Sequence, residues 1–375
     1  MATAGIDSAT SHTQTPAREH SPARQSLPQL CIGNVHIGFP VVQAALSGYS
    51  DMAMRVIARR LGASYAICEV VLDKMVVQTR GRRTARWAAV HDEEHPVGGQ
   101  LMGADPQMFG EAAQGLVAAG FDIIDINFGC PVKKVLGRCR GGFHLSQPDV
   151  ALEIVSRVRD ATPSHIPVTV KMRRGIDDTP ESRDKFFAIL DGAFALGVAA
   201  ITVHGRTVEQ RYNGPSRWEF LREVKQHVGE RTILGSGDLF DAEACLAMIR
   251  ETGVDGVTVA RGAIGNPWIF AQCRALAAGE PLPAPPTIHE QRDVIASHYE
   301  LADEIYGGEV CCRQMRKFGI KYSRLHPQAE NVRDAFVGIK RPGQWQEVLD
   351  RWYATDAPGC YPPSEPEQNG SCGNE

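Results

Sequence analysis

Cys130 stands where a thiol can take part in chemistry. It follows a short β-branched run, Ile123-Ile124-Asp125-Ile126, which reads as a buried strand ending at Asn127. Gly129 then turns the chain outward, and Pro131 restricts Cys130 to an extended conformation, so no helix is expected to start there. A basic, Gly-rich stretch follows, with Lys133, Lys134, Gly137, Arg138, Arg140, Gly141 and Gly142. A thiol at a strand mouth beside a mobile cationic loop suits chemistry on a negatively charged substrate. A lone cysteine in a tight turn is more often a small buried hydrophobe. Here the strand-end position and the neighbouring lysines favour a catalytic role.

Polar residues close the other apolar runs as well. Gln43 and Ser47 end one, and Gln100 falls among the last residues of another. Farther on come Lys171 and Arg173, then His204-Gly205-Arg206, Gly235-Ser236-Gly237-Asp238 and Ala260-Arg261-Gly262. Each has a bland reading alone, since a strand-end Lys or His can simply cap a loop. Packing explains their joint placement much less easily. Glycines at the last two ends let backbone N–H groups approach an anion, and Arg261 adds a charge-assisted bond. These ends predict a cofactor phosphate at 235–237 and 260–262. Lys171 and Gln100 would then face the cofactor's ring system, where a cation stabilises an electron-rich, reduced flavin. No strand–GxGxxG–helix fingerprint occurs, so a nicotinamide is not expected as the tightly held partner.

Bringing these residues to one mouth requires a closed parallel sheet. Apolar strand-like runs fall at 40–46, 64–70, 96–102, 123–127, 167–172, 199–204, 232–236 and 256–260. Helical spacing lies between most of them, at 51–61, 106–119, 148–162, 180–196, 218–227 and 241–252, with a last helix at 267–278. This alternation predicts a (β/α)8 TIM barrel over residues 30–280, with its site at the strands' C-terminal ends. A Pro-rich hinge at 281–286 leads to a small helical domain over 287–353, with helices at 290–306, 310–324, 332–337 and 344–352. Arg313, Arg316, Lys317, Lys321 and Arg324 form a basic stripe there. Residues 1–28 and 357–375 are rich in small and polar residues and read as disordered tails.

The formal charge of −4 does not advertise a nucleic-acid binder. The cations are clustered, however, at 80–86, 133–140, 173–174 and 317–324, and such patches bind phosphates regardless of net charge. The 10 cysteines show no C-x-x-C pair and no zinc-finger spacing, so no metal site is expected. Scattered thiols and the lack of a secretory segment or a long apolar span predict a soluble cytoplasmic protein without membrane contact.

The segments DINFGCPVKKV, PVTVKMRRG, ITVHGRT, GSGD and VARGAIGNPWIF resemble the flavin-dependent tRNA-dihydrouridine synthases over roughly residues 37–350. The resemblance implies an FMN-containing barrel that reduces the 5,6 double bond of a uridine in RNA, most simply tRNA, with NADPH as transient reductant. It implies that Cys130 is the proton donor and that Asn127 contacts the uracil. Gln100, Lys171 and His204 would bind FMN or frame its ring, while Arg173 lies on the substrate side. With Lys133, Lys134 and Arg206, Arg173 makes up the expected substrate-binding cations. The helical domain would hold RNA, and the protein is expected to be a monomer.

Three departures from the family pattern stand out. Ala44-Ala45-Leu46 replaces a usual Ala-Pro-Met at the end of strand one, where cofactor contacts are expected. Ser236-Gly237-Asp238 replaces Asn-Gly-Asp, and Arg140-Gly141-Gly142 replaces an Ala-Gly-Ser type turn. The thiol, the Lys and the His are all kept. Alternatives are a synthase of this kind acting on ribosomal RNA and an FMN barrel acting on a free small molecule, in the manner of dihydroorotate dehydrogenase. A third is a non-catalytic RNA-binding protein on a retired barrel.

Overall fold

The computed structural model describes residues 27–79 and 86–362. Two short strands, β1 (Leu30–Ile32) and β2 (Val35–Gly38), form an antiparallel hairpin. The parallel sheet comprises β3 (Val41–Gln43), β4 (Ala66–Ile67), β5 (Val71–Leu72), β6 (Val97–Met102), β7 (Ile123–Phe128), β8 (Val168–Arg173), β9 (Ala200–His204), β10 (Thr232–Ser236) and β11 (Gly256–Val259). β3 pairs with both β11 and β4, and β4 with β6, so the sheet closes on itself. β4 and β5 both lie along β6 and share one of the eight barrel positions. The single strand expected over 64–70 is therefore interrupted. Its break falls where Glu69 N–H donates to the Ser50 carbonyl and leaves the ladder. The expected (β/α)8 TIM barrel is thus the observed fold, followed by C-terminal helices.

Successive strand residues face opposite sides of a sheet, and the side chains here sort accordingly. Ile124, Ile126, Val168, Val170, Met172, Ile201, Val203, Ile233 and Val257 point outward and are fully buried against the surrounding helices. Inside, the lower end of the barrel is apolar. Leu30, Ile32 and Ile37 of the hairpin pack there on Val42, Tyr65, Ile67, Ile123, Ala200 and Leu234. The sequence reading contained no hairpin, because each strand is too short to show an alternation. Toward the strands' C-terminal ends the same inward register carries Gln100, Asp125, Asn127, Thr169, Lys171, Thr202, His204, Ser236 and Thr258. The barrel has an apolar floor and a polar mouth.

The enclosing helices begin and end on local chemistry. Asp105 and Thr179 cap Pro106–Ala119 and Pro180–Ala195, each with proline in the first turn, and Asp241 caps Ala242–Thr252. Gly120 and Gly253 terminate two of these helices in the left-handed conformation. After the linker come Ile288–Tyr306, opened by a Thr287/Glu290 capping box, Gly308–Tyr322, Ala329–Val337 and Pro342–Trp352. Buried Phe318, Tyr322, Phe336, Trp345 and Tyr353 hold these four together. Tyr306 Oη donates to Asp51 Oδ2 at 2.9 Å and ties them to the barrel helix Met52–Arg60, which Asp51 caps.

The segment expected as a tail from residue 357 is hydrogen bonded where it is described. Ile288 N–H donates to the Ala357 carbonyl, and Cys360 N–H to that of Leu325. Residues 1–26 and 363–375 of the expected tails, and residues 80–85 of the first cation cluster, lie outside the described residues.

One buried ion pair secures the stretch that leads into β6, residues 86–94. Arg55, 2 % exposed, contacts Glu94, itself 1 % exposed, and also donates to the carbonyls of Ser50 and Ala89. Removing one partner of such a pair leaves an uncompensated buried charge. Glu94→Ala is expected to cost about 3–5 kcal/mol, read from the urea unfolding midpoint. A midpoint like that of the wild type would show that the pair does not secure this segment.

Candidate active site

The turn that carries Cys130 is fixed from below and from the side. The Asn127 side-chain carbonyl oxygen accepts the backbone N–H groups of Gly129 at 2.9 Å and Cys130 at 3.1 Å. An Asn side chain closing its own turn in this way is a local alternative to a strand ladder. Arg173 Nε donates to the Gly129 carbonyl at 2.9 Å. The peptide unit joining Gly129 to Cys130 is thus held at both its N–H and its C=O. Gly142 N–H donates back to the Cys130 carbonyl, and Gly141 packs against the cysteine side chain at φ +59°. The thiol is half-buried, and burial raises its pKa above the usual thiol value against the opposing effects of Val132 N–H, Arg173 and Lys171. It is an acid at neutral pH.

Asn127 is itself oriented by the barrel interior. Its amide donates to Gln100 Oε1 at 2.8 Å, and Gln100 Nε2 donates to Asp125 Oδ2 at 2.7 Å. Beside them the Lys171 ammonium makes no hydrogen bond to another described residue. Burial first, then Arg173, lowers its pKa to about 8, although Asp125 and Cys130 pull the other way. His204, 8 % exposed, is held well below the usual imidazole value by burial and by Lys171, Arg173, Arg206 and Arg261. Arg206 N–H donates to its Nδ1, so the neutral ring carries its proton on Nε2.

The ends of β10 and β11 are built for backbone approach. Gly237 has φ +117°, and a Cβ there would come within 3.1 Å of His204 Nε2 and 2.8 Å of Ser216 Cβ. A Cβ on Gly262 would collide with the Leu239 carbonyl and the Phe240 Cα. Arg261 lies over the rings of Tyr212 and Phe240, 4.7 and 4.9 Å from their centroids. Asp238 adds a carboxylate, but Arg206 pairs with both its oxygens at 2.7 Å and Ser216 N–H caps it. Lys321 and Arg324, from the helical region, share a small cleft with Arg261, Gly262 and Asn266. The mouth is rich in cations and donors, with one acid at the end of β7.

Residues 42–357 match the family described as dihydrouridine synthase (Dus). The chain is 36 % identical over 338 residues to a probable tRNA-dihydrouridine synthase of Mycobacterium tuberculosis, covering 88 % of this chain and 86 % of that one. A probable tRNA-dihydrouridine synthase of Rickettsia conorii is 33 % identical over 325 residues, with 86 % and 96 % covered. The chain belongs to the dihydrouridine synthase family. In fold it is similar to an old yellow enzyme homologue from Zymomonas mobilis, at a TM-score of 0.50 and 15 % identity over 69 % of this chain and 94 % of that one.

In this chain the residues singled out from sequence do not all reach the mouth in the same way. Cys130, Asn127, Gln100, Lys171 and His204 converge as described. Arg173, expected on the substrate side, is 4 % exposed and donates also to the carbonyls of Thr207 and Arg211. Arg206, equally buried, is engaged with Asp238 and the Gly214 carbonyl. Gly235 turns toward Met248 and Leu221 of the helical layer, whereas Ser236 faces inward. Ala44 is buried, while Ala45 and Leu46 are half-buried in a turn closed by Ser50.

Lys133 and Lys134 are exposed on a single helical turn, Lys133–Leu136, and a 3₁₀ segment follows at Gly141–Ser146. The loop expected to be irregular is therefore largely helical. Val132, one residue beyond the proline, supplies the N-cap backbone. The basic stripe of the helical region is divided. Arg313 and Arg316 are exposed, whereas Lys317 lies over the Tyr49 ring beside the barrel. Sequence reasoning missed Asp125 as a site residue. Its visible signal was an acid two positions before Asn127 within an apolar run. Ser216 and Tyr212, in the loop after β9, gave no signal.

The contact between Gly141 and the cysteine gives a direct test. A Cβ at Gly141 would lie 2.7 Å from Cys130 Cβ, and its positive φ already disfavours any side chain. Gly141→Ala is expected to leave the barrel folded but to change the alkylation rate of Cys130 by severalfold, measured by peptide mass spectrometry after iodoacetamide. A rate equal to the wild type would show that Gly141 does not set the position of the thiol.

Proposed function

We propose that this synthase reduces specific uridines of tRNA to 5,6-dihydrouridine, with FMN as resident cofactor and NADPH as reductant. The observation that carries the reading is Cys130, a thiol kept protonated by burial at the end of β7, among donors suited to an anionic cofactor and an electron-rich ring. The residues fit FMN. Arg261 and the backbone at Gly237 and Gly262 would hold its phosphate, and Lys171 and the Nε2–H of His204 would meet its ring. When bound, the flavin supplies the hydride that reaches uracil C6.

The chain's own residues do the rest. Cys130 Sγ–H gives its proton to uracil C5 as the C5–C6 double bond is lost. The resulting thiolate is met by Val132 N–H and by the charges of Arg173 and Lys171, then regains a proton from water. Lys171 would stabilise the charge that develops on a uracil carbonyl. Asn127, already fixed by its turn, would present its remaining amide hydrogen to the base. The target uridine must leave its stack to reach this mouth, as bases do in enzymes that act on them. Lys133 and Lys134 on one side, and Lys321 and Arg324 on the other, would hold RNA phosphates. The unpaired thiols suit a reducing cytoplasm.

Two outcomes test this reading. Pre-reduced enzyme mixed with unmodified tRNA should be reoxidised with formation of dihydrouridine. Cys130→Ala should keep flavin and its reduction by NADPH but slow this step by roughly 10²–10⁴-fold, the usual contribution of a positioned acid. Wild-type reoxidation in that variant would remove the proton-donor role. Reoxidation by ribosomal RNA or a free pyrimidine but not by tRNA would change the substrate.

The second outcome concerns pH. Below about 8 Lys171 is cationic, and above it the ammonium loses its proton. FMN affinity should therefore be highest below that pH and fall as pH rises through it, and Lys171→Met should flatten the profile. A wild-type dissociation constant unchanged from about pH 6.5 to 9.5, a span that brackets the titration on both sides, would show that the ammonium makes no charge contact with the cofactor.

A further inference from the structure

Four side chains connect the middle of the barrel to the Cys130 turn in one direction. Thr169 Oγ1 donates to Asp125 Oδ1 at 2.6 Å, and Gln100 Nε2 donates to Asp125 Oδ2 at 2.7 Å. Asn127 Nδ2 donates to Gln100 Oε1 at 2.8 Å, and Asn127 Oδ1 accepts Gly129 N–H and Cys130 N–H. A primary amide can turn either way, so an amide chain has no direction of its own. Here each end permits only one. A carboxylate accepts and cannot donate, and two backbone N–H groups donate and cannot accept. Asp125 and Gln100 are each 1 % exposed, so water has little access to substitute for a misdirected bond.

We propose that Asp125 is a positioning residue for Cys130. As an acceptor-only group in the barrel interior it sets the polarity of the Gln100 and Asn127 amides, and so keeps an oxygen beneath the cysteine turn. The inference rests on Cys130 being the proton donor, but its test does not. Asp125 neighbours none of the atoms that react and acts through two intervening side chains. With the direction reversed, Asn127 would turn its NH2 toward two N–H groups. The Gly129–Cys130 peptide would then keep only the Arg173 contact to its carbonyl. Asp125 is also the buried negative charge closest in register to Lys171, whose strand neighbour is Asn127. The same carboxylate thus supports both the acid and the cation of the site.

The test measures the alkylation rate of Cys130 by iodoacetamide in the flavin-loaded enzyme, site-resolved by mass spectrometry because the exposed Cys31, Cys139 and Cys360 would react too. An amide in place of the Asp125 carboxylate can offer Gln100 either an oxygen or an NH2, so the lower end no longer imposes the direction and the two N–H groups of the turn are left to impose it alone. Asp125→Asn should raise the Cys130 rate by about three- to tenfold, as the cap on its turn is lost part of the time. Adding Gln100→Glu returns an acceptor-only group to the chain. That carboxylate can only accept, from the new amide on one side and from the Asn127 NH2 on the other. The Asn127 oxygen must then face the turn as before, and the double variant should recover the wild-type rate. Thr169→Val removes a bond to Asp125 but leaves it acceptor-only, and should also match the wild type.

A purely structural role for the buried cluster predicts instead that Thr169→Val resembles Asp125→Asn and that the double variant is not rescued. Either of those results overturns the proposal, as does an unchanged rate in Asp125→Asn. If Asp125→Asn cannot be isolated folded, the double variant decides alone. The wild-type rate supports polarity, and a raised rate refutes it. Because alkylation needs neither RNA nor turnover, a wild-type enzyme inactive on RNA would refute the reaction and leave this test standing.

Discussion

A carboxylate inside a barrel must be met by donors, and Asp125 shows how much that requirement organises. Removing such a charge from water costs several kcal/mol unless hydrogen bonds replace the lost solvation. Thr169 and Gln100 provide them, and burial still raises the carboxyl pKa above its usual range. Everything above Asp125 takes its orientation from this point: Gln100, then Asn127, then the turn that carries Cys130. Below it the barrel is closed by the β1–β2 hairpin and its apolar side chains. The apolar floor offers the column no hydrogen-bond partner from below, so its donors and acceptors must satisfy one another.

Charge at the mouth is managed by unequal means. Arg173 is surrounded by carbonyls, Arg206 is paired with Asp238, and Arg261 lies over aromatic rings. Lys171 differs, because its ammonium has electrostatic support from Asp125 but no hydrogen bond to another described residue. His204 stays neutral among these cations. A site with this balance attracts an anion while keeping one imidazole N–H available as an uncharged donor. That combination suits a phosphate at one end and a ring that gains electrons at the other.

Much of this was legible in the sequence because a barrel strand advertises itself. Runs such as Pro167-Val-Thr-Val-Lys-Met alternate apolar and polar residues, begin near a breaker and end on a chemical group. The thiol, the Lys and the His followed from strand ends alone. What escaped depends on pairings distant in sequence. The carbonyls that enclose Arg173 come from Gly129, Thr207 and Arg211, and no local pattern announces them. Asp125 read as the interior of an apolar strand, since its inward direction is clear only once β6 supplies Gln100. The basic stripe looked continuous because helical spacing places Arg313, Arg316, Lys317 and Lys321 on neighbouring turns. Which of them meets the barrel is decided by packing of Phe318 and Tyr322.

The cationic loop after Cys130 would, taken alone, favour a thiolate, because nearby positive charge stabilises one. The structure resolves this by distance and burial. Lys133 and Lys134 are exposed and point their charge at solvent, where RNA phosphates would arrive, while Arg173 and Lys171 are the cations that act on the sulfur. Against these the desolvation of the half-buried Cys130 prevails, and its pKa rises instead of falling. The returning chain packs closely beside the thiol. Gly141 and Gly142 lie so near Cys130 that side chains there would meet its Cβ and its carbonyl oxygen. The Arg140-Gly141-Gly142 departure from the family pattern falls in this packed turn. Burial of the thiol, set beside two glycines, outweighs the cations that act on it.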